Sequence, residues 1–330
     1  MLEIGDASAL VDASPTVPSI DVRLTAISYA ARDTHLFEFR RLDGKSLPPT
    51  EAGAHIDVHL PNGLTRQYSL VHADDNPDAY IVGVKLDRAG RGGSLCLHEQ
   101  VRVGQVLAVS PPRNNFPLAA TARESVLIAG GIGITPIWCM IQTLERQARP
   151  WRLHYACRSR ADAAFLAPLQ AFGSRVKFHF DDENDGCFFD IENAVSTAPA
   201  DAELYCCGPL PMLAAFETAS ASRAPDQVHV EYFTPKTAAA TEGGFVVALA
   251  RSHKEFLVPP GRSILSVLRD AGIDVTSSCE EGVCGACETS VIAGTPDHRD
   301  NILTEKERAA NRSMMICCSG CTSERLVLDL

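Results

Sequence analysis

Apolar and polar residues alternate in short segments through the first third of the chain. "HIDVHL" (55–60) and "RQYSLV" (66–71) are of this kind, with the turn signal "PNG" between them. A period of two turns one strand face toward a core, so residues 19–118 are expected to form an antiparallel β-barrel or sandwich. From residue 119 the pattern changes. "SVLIAGG" (125–131) is continuously apolar and is followed by Pro136 and the helix-like "IWCMIQTLERQ" (137–147). "WRLHYAC" (151–157), "VKFHF" (176–180) and "ELYCCG" (203–208) read as further strands with helical segments between them. Such alternation predicts a parallel α/β sheet over 119–233. "TPKTAAATEG" (234–243) has no periodicity and reads as a linker. Residues 244–330 begin with strands "FVVALA" and "EFLVP", then a helix in "SILSVLRDAG" opened by Ser263 and closed by Gly272. Residues 1–18, rich in Ala, Ser, Asp and Pro, are expected to be a flexible tail.

Length and composition narrow the class. A chain of 330 residues suggests two or three domains. No apolar run is long enough to span a membrane, and the N-terminus lacks a basic region followed by an apolar one, so a cytoplasmic location is expected. The net charge of -11 would repel a phosphate backbone and argues against nucleic acid as a partner. Twelve cysteines are many for a reducing compartment, where they serve as free thiols or metal ligands. Cys96, Cys139, Cys157 and Cys187 are scattered singly and read as packing residues.

The remaining thiols concentrate near the C-terminus. Cys279, Cys284 and Cys287 in "SSCEEGVCGAC", with Cys317 further on, have the C-x4-C-x2-C…C spacing of a plant-type [2Fe–2S] site. Two bridged irons need four thiolates, so a tight loop supplies three and a distant segment the fourth. Gly282, Gly285 and Ala286 let the loop backbone wrap the cluster and aim N–H groups at its sulfurs. A zinc site would prefer two paired hooks, and one is present; disulfides do not suit the compartment. Cys317 is favoured over Cys318 and Cys321 by spacing, and on a strand Cys317 and Cys318 would face opposite sides.

Weaker signals lie upstream. "AGGIGITP" (129–136) joins a buried strand to a helix. Its glycines permit close approach of a dinucleotide, Pro136 suits a first helical position, and the helix N-terminus favours phosphate. Arg66 and Tyr68 of "RQYS" share a strand face, where one can bind phosphate and the other pack on a planar ring. "RAGRGGS" (88–94) reads either as a backbone nest for phosphate or as a hairpin turn. "CCGP" (206–209) closes a strand at the C-terminal edge of the predicted parallel sheet, where ligands sit, and "HVEYF" (229–233) ends that zone with an aromatic.

In order, "RQYSL", "GRGGS", "AGGIGITP", "CCGP", "SSCEEGVCGAC", "PDHRD" and "LVLDL" resemble the reductase components of Rieske-type oxygenases, the family of phthalate dioxygenase reductase and vanillate O-demethylase reductase. The resemblance covers about 20–330. It implies three domains: an antiparallel β-barrel flavin domain, an α/β nucleotide domain and a β-grasp ferredoxin-like domain. It implies FMN held by Arg66, Gln67, Tyr68 and Ser69, with Val84, Lys85 and Arg91 beside it and Gly92, Gly93 and Ser94 near its phosphate. Thr135 and Phe233 would approach the flavin ring. Gly131, Ile132 and Gly133, with Cys207, Gly208 and Pro209, would border the nicotinamide nucleotide, and Arg158 and Ser159 its adenosine half. NADH is implied, although Arg158 and Arg160 leave a 2′-phosphate open. "CCSGCTS" departs from the pattern, which has an arginine near Gly320 and no cysteine at 321.

The implied chemistry is electron relay. NADH gives a hydride to flavin, flavin gives single electrons to the cluster, and the cluster passes them to the Rieske centre of a terminal oxygenase. Plant-type clusters lie near about −400 mV, so the flavin must be tuned close to that. No catalytic proton-transfer residue is nominated, and Cys207 is a positioning residue. Glu280 and Glu281 are expected on the docking face. The zone 244–330 has 12 acidic and 9 basic residues, so steering is modest. A same-build reductase serving a cytochrome P450 or a diiron hydroxylase is the alternative, and the resemblance implies a monomer.

Overall fold

The structure, a computed structural model, describes residues 19–121 and 123–330; the tail expected at 1–18 lies outside the described residues. The first unit is an antiparallel sheet of β1 (Ile20–Ala31), β2 (Thr34–Arg41), β3 (Ala54–His59), β4 (Thr65–Ser69), β5 (Tyr80–Lys85), β6 (Val106–Val109) and β7 (Arg113–Asn114). Its order is β4-β3-β6-β1-β2-β5, with β7 paired to β3. A single bridge between Leu70 and Val82 joins the two edges. Leu24, Phe37, Phe39, Ile56, Val58 and Val82 fill the interior. The "RAGRGGS" stretch is not a hairpin turn: it leads into α1 (Gly93–Glu99), preceded by Gly92 at φ 87°. Seven residues are too few to show a helical period.

The second unit comprises β8 (Ser125–Gly130), α2 (Ile134–Arg146), β9 (Trp151–Cys157), α3 (Leu166–Gln170), β10 (Val176–Phe180), α4 (Ile191–Ser196), β11 (Glu203–Cys207), α5 (Leu210–Ser220) and β12 (Val228–Glu231). The strands run parallel in the order β10-β9-β8-β11-β12. Every residue of β8 is buried, with Leu127 and Ala129 in one core and Val126 and Ile128 in the other. Burial on both faces explains its uninterrupted apolar run. Helix α2 starts at Ile134, so Pro136 holds its third position and not the first. It remains within the first turn, where a missing N–H costs no intrahelical bond. Cys187 is exposed, contrary to its reading as a packing residue.

The third unit contains β13 (Phe245–Leu249), β14 (Lys254–Val258), α6 (Ile264–Asp270), β15 (Glu288–Ala293), β16 (Pro296–Asp297), α7 (Glu305–Ala310), β17 (Ser313–Met315), β18 (Gly320–Cys321) and β19 (Arg325–Leu328). Its mixed sheet has the order β14-β13-β19-β15-β17, placing the C-terminal "LVLDL" segment at the centre. Ser263 caps α6 by accepting the Ser266 N–H, as expected. Residues 234–243 form no helix or strand, yet they are laced to this unit. Lys236 N–H donates to Asn301 Oδ1 at 3.2 Å, Thr237 Oγ1 to the Arg299 carbonyl at 3.1 Å, and Ala240 N–H to the Cys318 carbonyl at 2.8 Å. No helix among the described residues is long and apolar enough to cross a membrane.

Candidate cofactor sites

Strand order in the parallel sheet reverses between β8 and β11, and the crevice beyond their C-terminal ends is where open α/β sheets hold ligands. Gly131, Ile132 and Gly133 form a 3-10 turn there, with Gly131 at φ 52°. A Cβ on Gly133 would stand 2.2 Å from the Cys207 carbonyl oxygen, so this turn lies backbone to backbone against Cys207–Gly208. Pro209 follows as the N-cap of α5. Thr135 donates its hydroxyl to the Ile132 carbonyl at 3.0 Å, and its methyl lies 2.7 Å from where a Gly83 Cβ would be. The parallel unit thereby touches β5 of the antiparallel sheet.

Arg66, Gln67, Tyr68 and Ser69 all lie on β4, as expected. Arg66 runs across Gly93, whose Cβ would fall 2.5 Å from the Arg66 side chain. It sits close to Arg91, and burial lowers its pKa ahead of repulsion from that guanidinium. Ser94 Oγ accepts the Asp87 N–H at 3.0 Å. Val84 is buried on β5 with its carbonyl on the His98 ring, 3.0 Å away, and Lys85 ends the strand. Gln67, Tyr68 and Ser69 line a cleft with Asn115, Phe233 and Val283, so all three units meet there. Ser69 Oγ and His55 Nε2 are buried in its wall without a hydrogen-bond partner. Burial, then Arg113, holds the His55 pKa down at about 4, so the ring is neutral near pH 7. Since buried polar atoms are normally paired, the two orphans fit a polar-edged group lying in the cleft.

At the far end of β9, Arg158 is exposed. Ser159 Oγ donates to Asp162 at 2.8 Å and accepts from Arg32 at 3.0 Å, a contact from the antiparallel unit. Arg160 does not point freely at a ligand: it forks onto Glu183 at 2.5 and 2.9 Å and lies over the Phe180 ring.

The cluster loop carries Cys279, Cys284 and Cys287, all buried, and Cys317 is buried beside them. The four thiols perturb one another: Cys284 and Cys317 pull the Cys279 pKa down, while Cys279 drives that of Cys317 up. One thiolate in this pocket therefore suppresses the next, a conflict that cationic iron would relieve if bound there. Backbone N–H groups already point at sulfur, Glu281 at Cys279 Sγ and Ala286 at Cys284 Sγ, each 3.3 Å away. The set has the donor chemistry of a two-iron group. Cys317 and Cys318 lie in a turn after β17, not on a strand, because Cys318 and Ser319 N–H groups both bond back to Met315. Cys318 Sγ faces the Met315 carbonyl at 3.7 Å, and Cys321 Sγ the Ser323 carbonyl at 3.1 Å.

The two loop glutamates part ways. Glu280, at φ 58°, pairs with Arg269 of its own unit at 2.7 Å. Glu281 turns inward and pairs with Arg91 of the antiparallel unit, which removes it from the docking face expected of it. Sequence reading also missed Glu231. The buried Cys207 thiol donates to its carboxylate at 3.6 Å, and burial raises the Glu231 pKa from 4.5 to about 8. Its place in "HVEYF" gave no sign of this, since its partner is 24 residues away.

Comparison with known proteins places this geometry. Residues 247–322 match the family described as the 2Fe-2S iron-sulfur cluster binding domain. The chain is similar to phenoxybenzoate dioxygenase subunit beta of Ectopseudomonas oleovorans, 49% identical over 97% of this chain and 100% of the relative. It is 48% identical to tetrachlorobenzoquinone reductase of Sphingobium chlorophenolicum over 95% of this chain and 99% of that one. The solved structure of phthalate dioxygenase reductase, described as modular for electron transfer from pyridine nucleotides to [2Fe-2S], matches with a TM-score of 0.72. It is 38% identical, over 94% of this chain and 98% of that chain.

Proposed function

Because this chain belongs to the oxygenase-reductase family that phthalate dioxygenase reductase typifies, we propose that it carries electrons from NADH through FMN and a [2Fe-2S] cluster to the Rieske centre of a separate terminal oxygenase. The antiparallel unit (19–118) is then the FMN-binding β-barrel. The parallel unit (119–233) binds NAD, residues 234–243 link, and 244–330 is a β-grasp ferredoxin domain. FMN supplies the conversion of a two-electron hydride into single electrons, and the cluster accepts them.

The chain's own residues bind, orient and exclude water. Arg66 and the Gly92–Gly93–Ser94 turn hold the flavin phosphate, Arg91 flanks it while paired to Glu281, and Val84 and Lys85 lie beside the ring system. Gln67, Tyr68 and Ser69 line its ring, and Ser69 Oγ gains the partner it lacks. Gly131–Gly133, Thr135 and Cys207–Pro209 set the nicotinamide against it, since hydride transfer needs the rings stacked. Phe233 covers the cleft mouth, and Arg158 and Ser159 meet the adenosine ribose. With Arg160 neutralised by Glu183, an unphosphorylated ribose is the better match, which supports NADH. Cys279, Cys284, Cys287 and Cys317 ligate the cluster. The protein works as a monomer.

The observation that carries this reading is the cleft shared by β4, the end of β12 and the cluster loop. An anaerobic NADH titration followed by visible absorption and low-temperature EPR tests it. Flavin bleaching with a reduced [2Fe-2S] signal is expected; bleaching with no cluster signal overturns the relay. Acid extraction and chromatography identify FMN or FAD. The near-equal identity to a benzoquinone reductase favours a second reading, in which a quinone is the acceptor. Reduction of a substituted benzoquinone without any second protein, and of no Rieske, P450 or diiron acceptor, selects it.

A further inference from the structure

The cluster loop reaches the antiparallel unit through two polar contacts on either side of Gly282. Asn115 Nδ2 donates to the backbone carbonyl of the ligand Cys284 at 2.9 Å. Glu281, two residues after the ligand Cys279, pairs with Arg91. Neither contact is made by a loosely held group. Asn115 sits in a turn whose neighbours are anchored: Asn114 donates to the Ala52 carbonyl at 3.1 Å and accepts the Phe116 N–H at 3.0 Å. Phe116 is buried edge-on against Tyr205 of the parallel sheet, with ring centroids 5.7 Å apart. The Glu281 side chain is 24% exposed and that of Arg91 50%, so their ion pair sits at the rim of the contact, within reach of added salt. On the loop side, Asn301 N–H holds the Gly282 carbonyl at 2.8 Å. Positive φ angles of 72° and 78° at Gly282 and Gly285 turn the loop so that the Cys284 carbonyl faces outward.

We propose that Asn115 and Glu281 form a two-point clasp that seats the cluster loop on the flavin side of the molecule and thereby sets the rate of single-electron passage from flavin to cluster. The inference rests on the relay reading above. In each passage reduced flavin loses one electron and the oxidised cluster gains it. The hydride from NADH replaces the electrons in pairs, and the flavin proton returns to water. No bond within the chain changes. Asn115 and Glu281 act through the loop and are positioning residues, since passage falls steeply as donor and acceptor separate.

The test uses the full chain loaded with flavin and cluster, mixed anaerobically with NADH in a stopped-flow instrument, reading flavin bleaching and cluster reduction separately. Asn115→Leu and Glu281→Gln are each expected to lower the rate of cluster reduction relative to that of flavin bleaching about tenfold, with Glu281→Asp restoring most of the ratio. Added salt is expected to slow cluster reduction in the unaltered chain and to leave Glu281→Gln unmoved. Cluster reduction at the unaltered rate in the double variant overturns the clasp. If that variant fails to hold its cluster, a salt-independent rate in the unaltered chain overturns it instead. An unaltered chain whose flavin bleaches but whose cluster never reduces refutes the relay itself, which keeps the two failures distinct.

Discussion

Two glycine-rich turns carry the proposed chemistry, and they are built on opposite principles. At the end of β8, Gly133 is needed because backbone meets backbone, its Cβ position being 2.2 Å from the Cys207 carbonyl. That contact exists in the chain alone. In the cluster loop, Gly282 is needed because a Cβ would strike Cys318 Sγ at 2.4 Å and Asp300 Cα at 3.0 Å. That contact too belongs to the chain, but the four thiols proposed as ligands beside it push each other's pKa values in opposite directions, a conflict that bound iron would relieve. The turn after β8 is thus complete in the chain alone, whereas the cysteine loop would be completed by the cluster proposed for it.

Cys317→Ser should break the comparison most sharply: the reduced [2Fe-2S] EPR signal is lost outright while NADH still bleaches the flavin. Cys318→Ser, one position on, is expected to keep the signal. Gly133→Ala forces an overpacked backbone contact and should cost about 3 kcal/mol of stability. Its readout is the mirror image, with NADH-dependent bleaching lost and the cluster still reducible by dithionite. A smaller effect lies between the two turns, at Glu231. Its folded pKa near 8 exceeds its ordinary 4.5, so the folded state binds the extra proton and stability falls as pH rises through that window. Glu231→Gln should flatten the decline of unfolding free energy between pH 5 and 8, by at most about 1.4 kcal/mol per pH unit, read from denaturant unfolding at each pH. The smallest expected change comes from alkylation: exposed Cys187 should react without loss of flavin bleaching, while Cys207, with its thiol pKa raised by burial, stays unmodified.

The cluster loop was legible because ligand spacing is a local property, and the β8 turn because a doubly buried strand followed by glycines has few other uses. What escaped sequence reading depends on remote partners. Glu281 and Glu280 are adjacent and chemically identical, yet Arg91 takes one and Arg269 the other. Arg160 looked available until Glu183 claimed it. Helix α1 was hidden by its brevity, and the turn at Cys317 by the strand-like "MMICC" before it. Cys187 was misjudged because a lone cysteine carries no periodic context.

The strap formed by residues 236–240 has a kinetic consequence. A free linker would let the third unit swing away from the flavin side to meet an acceptor and swing back. Bonded at Lys236, Thr237 and Ala240, this segment leaves little slack to pay out. The acceptor has to reach the cluster where it sits, by a collision between two molecules that no swinging unit assists. Turnover should then climb in proportion to acceptor concentration until the passage from flavin to cluster takes over as the slow step.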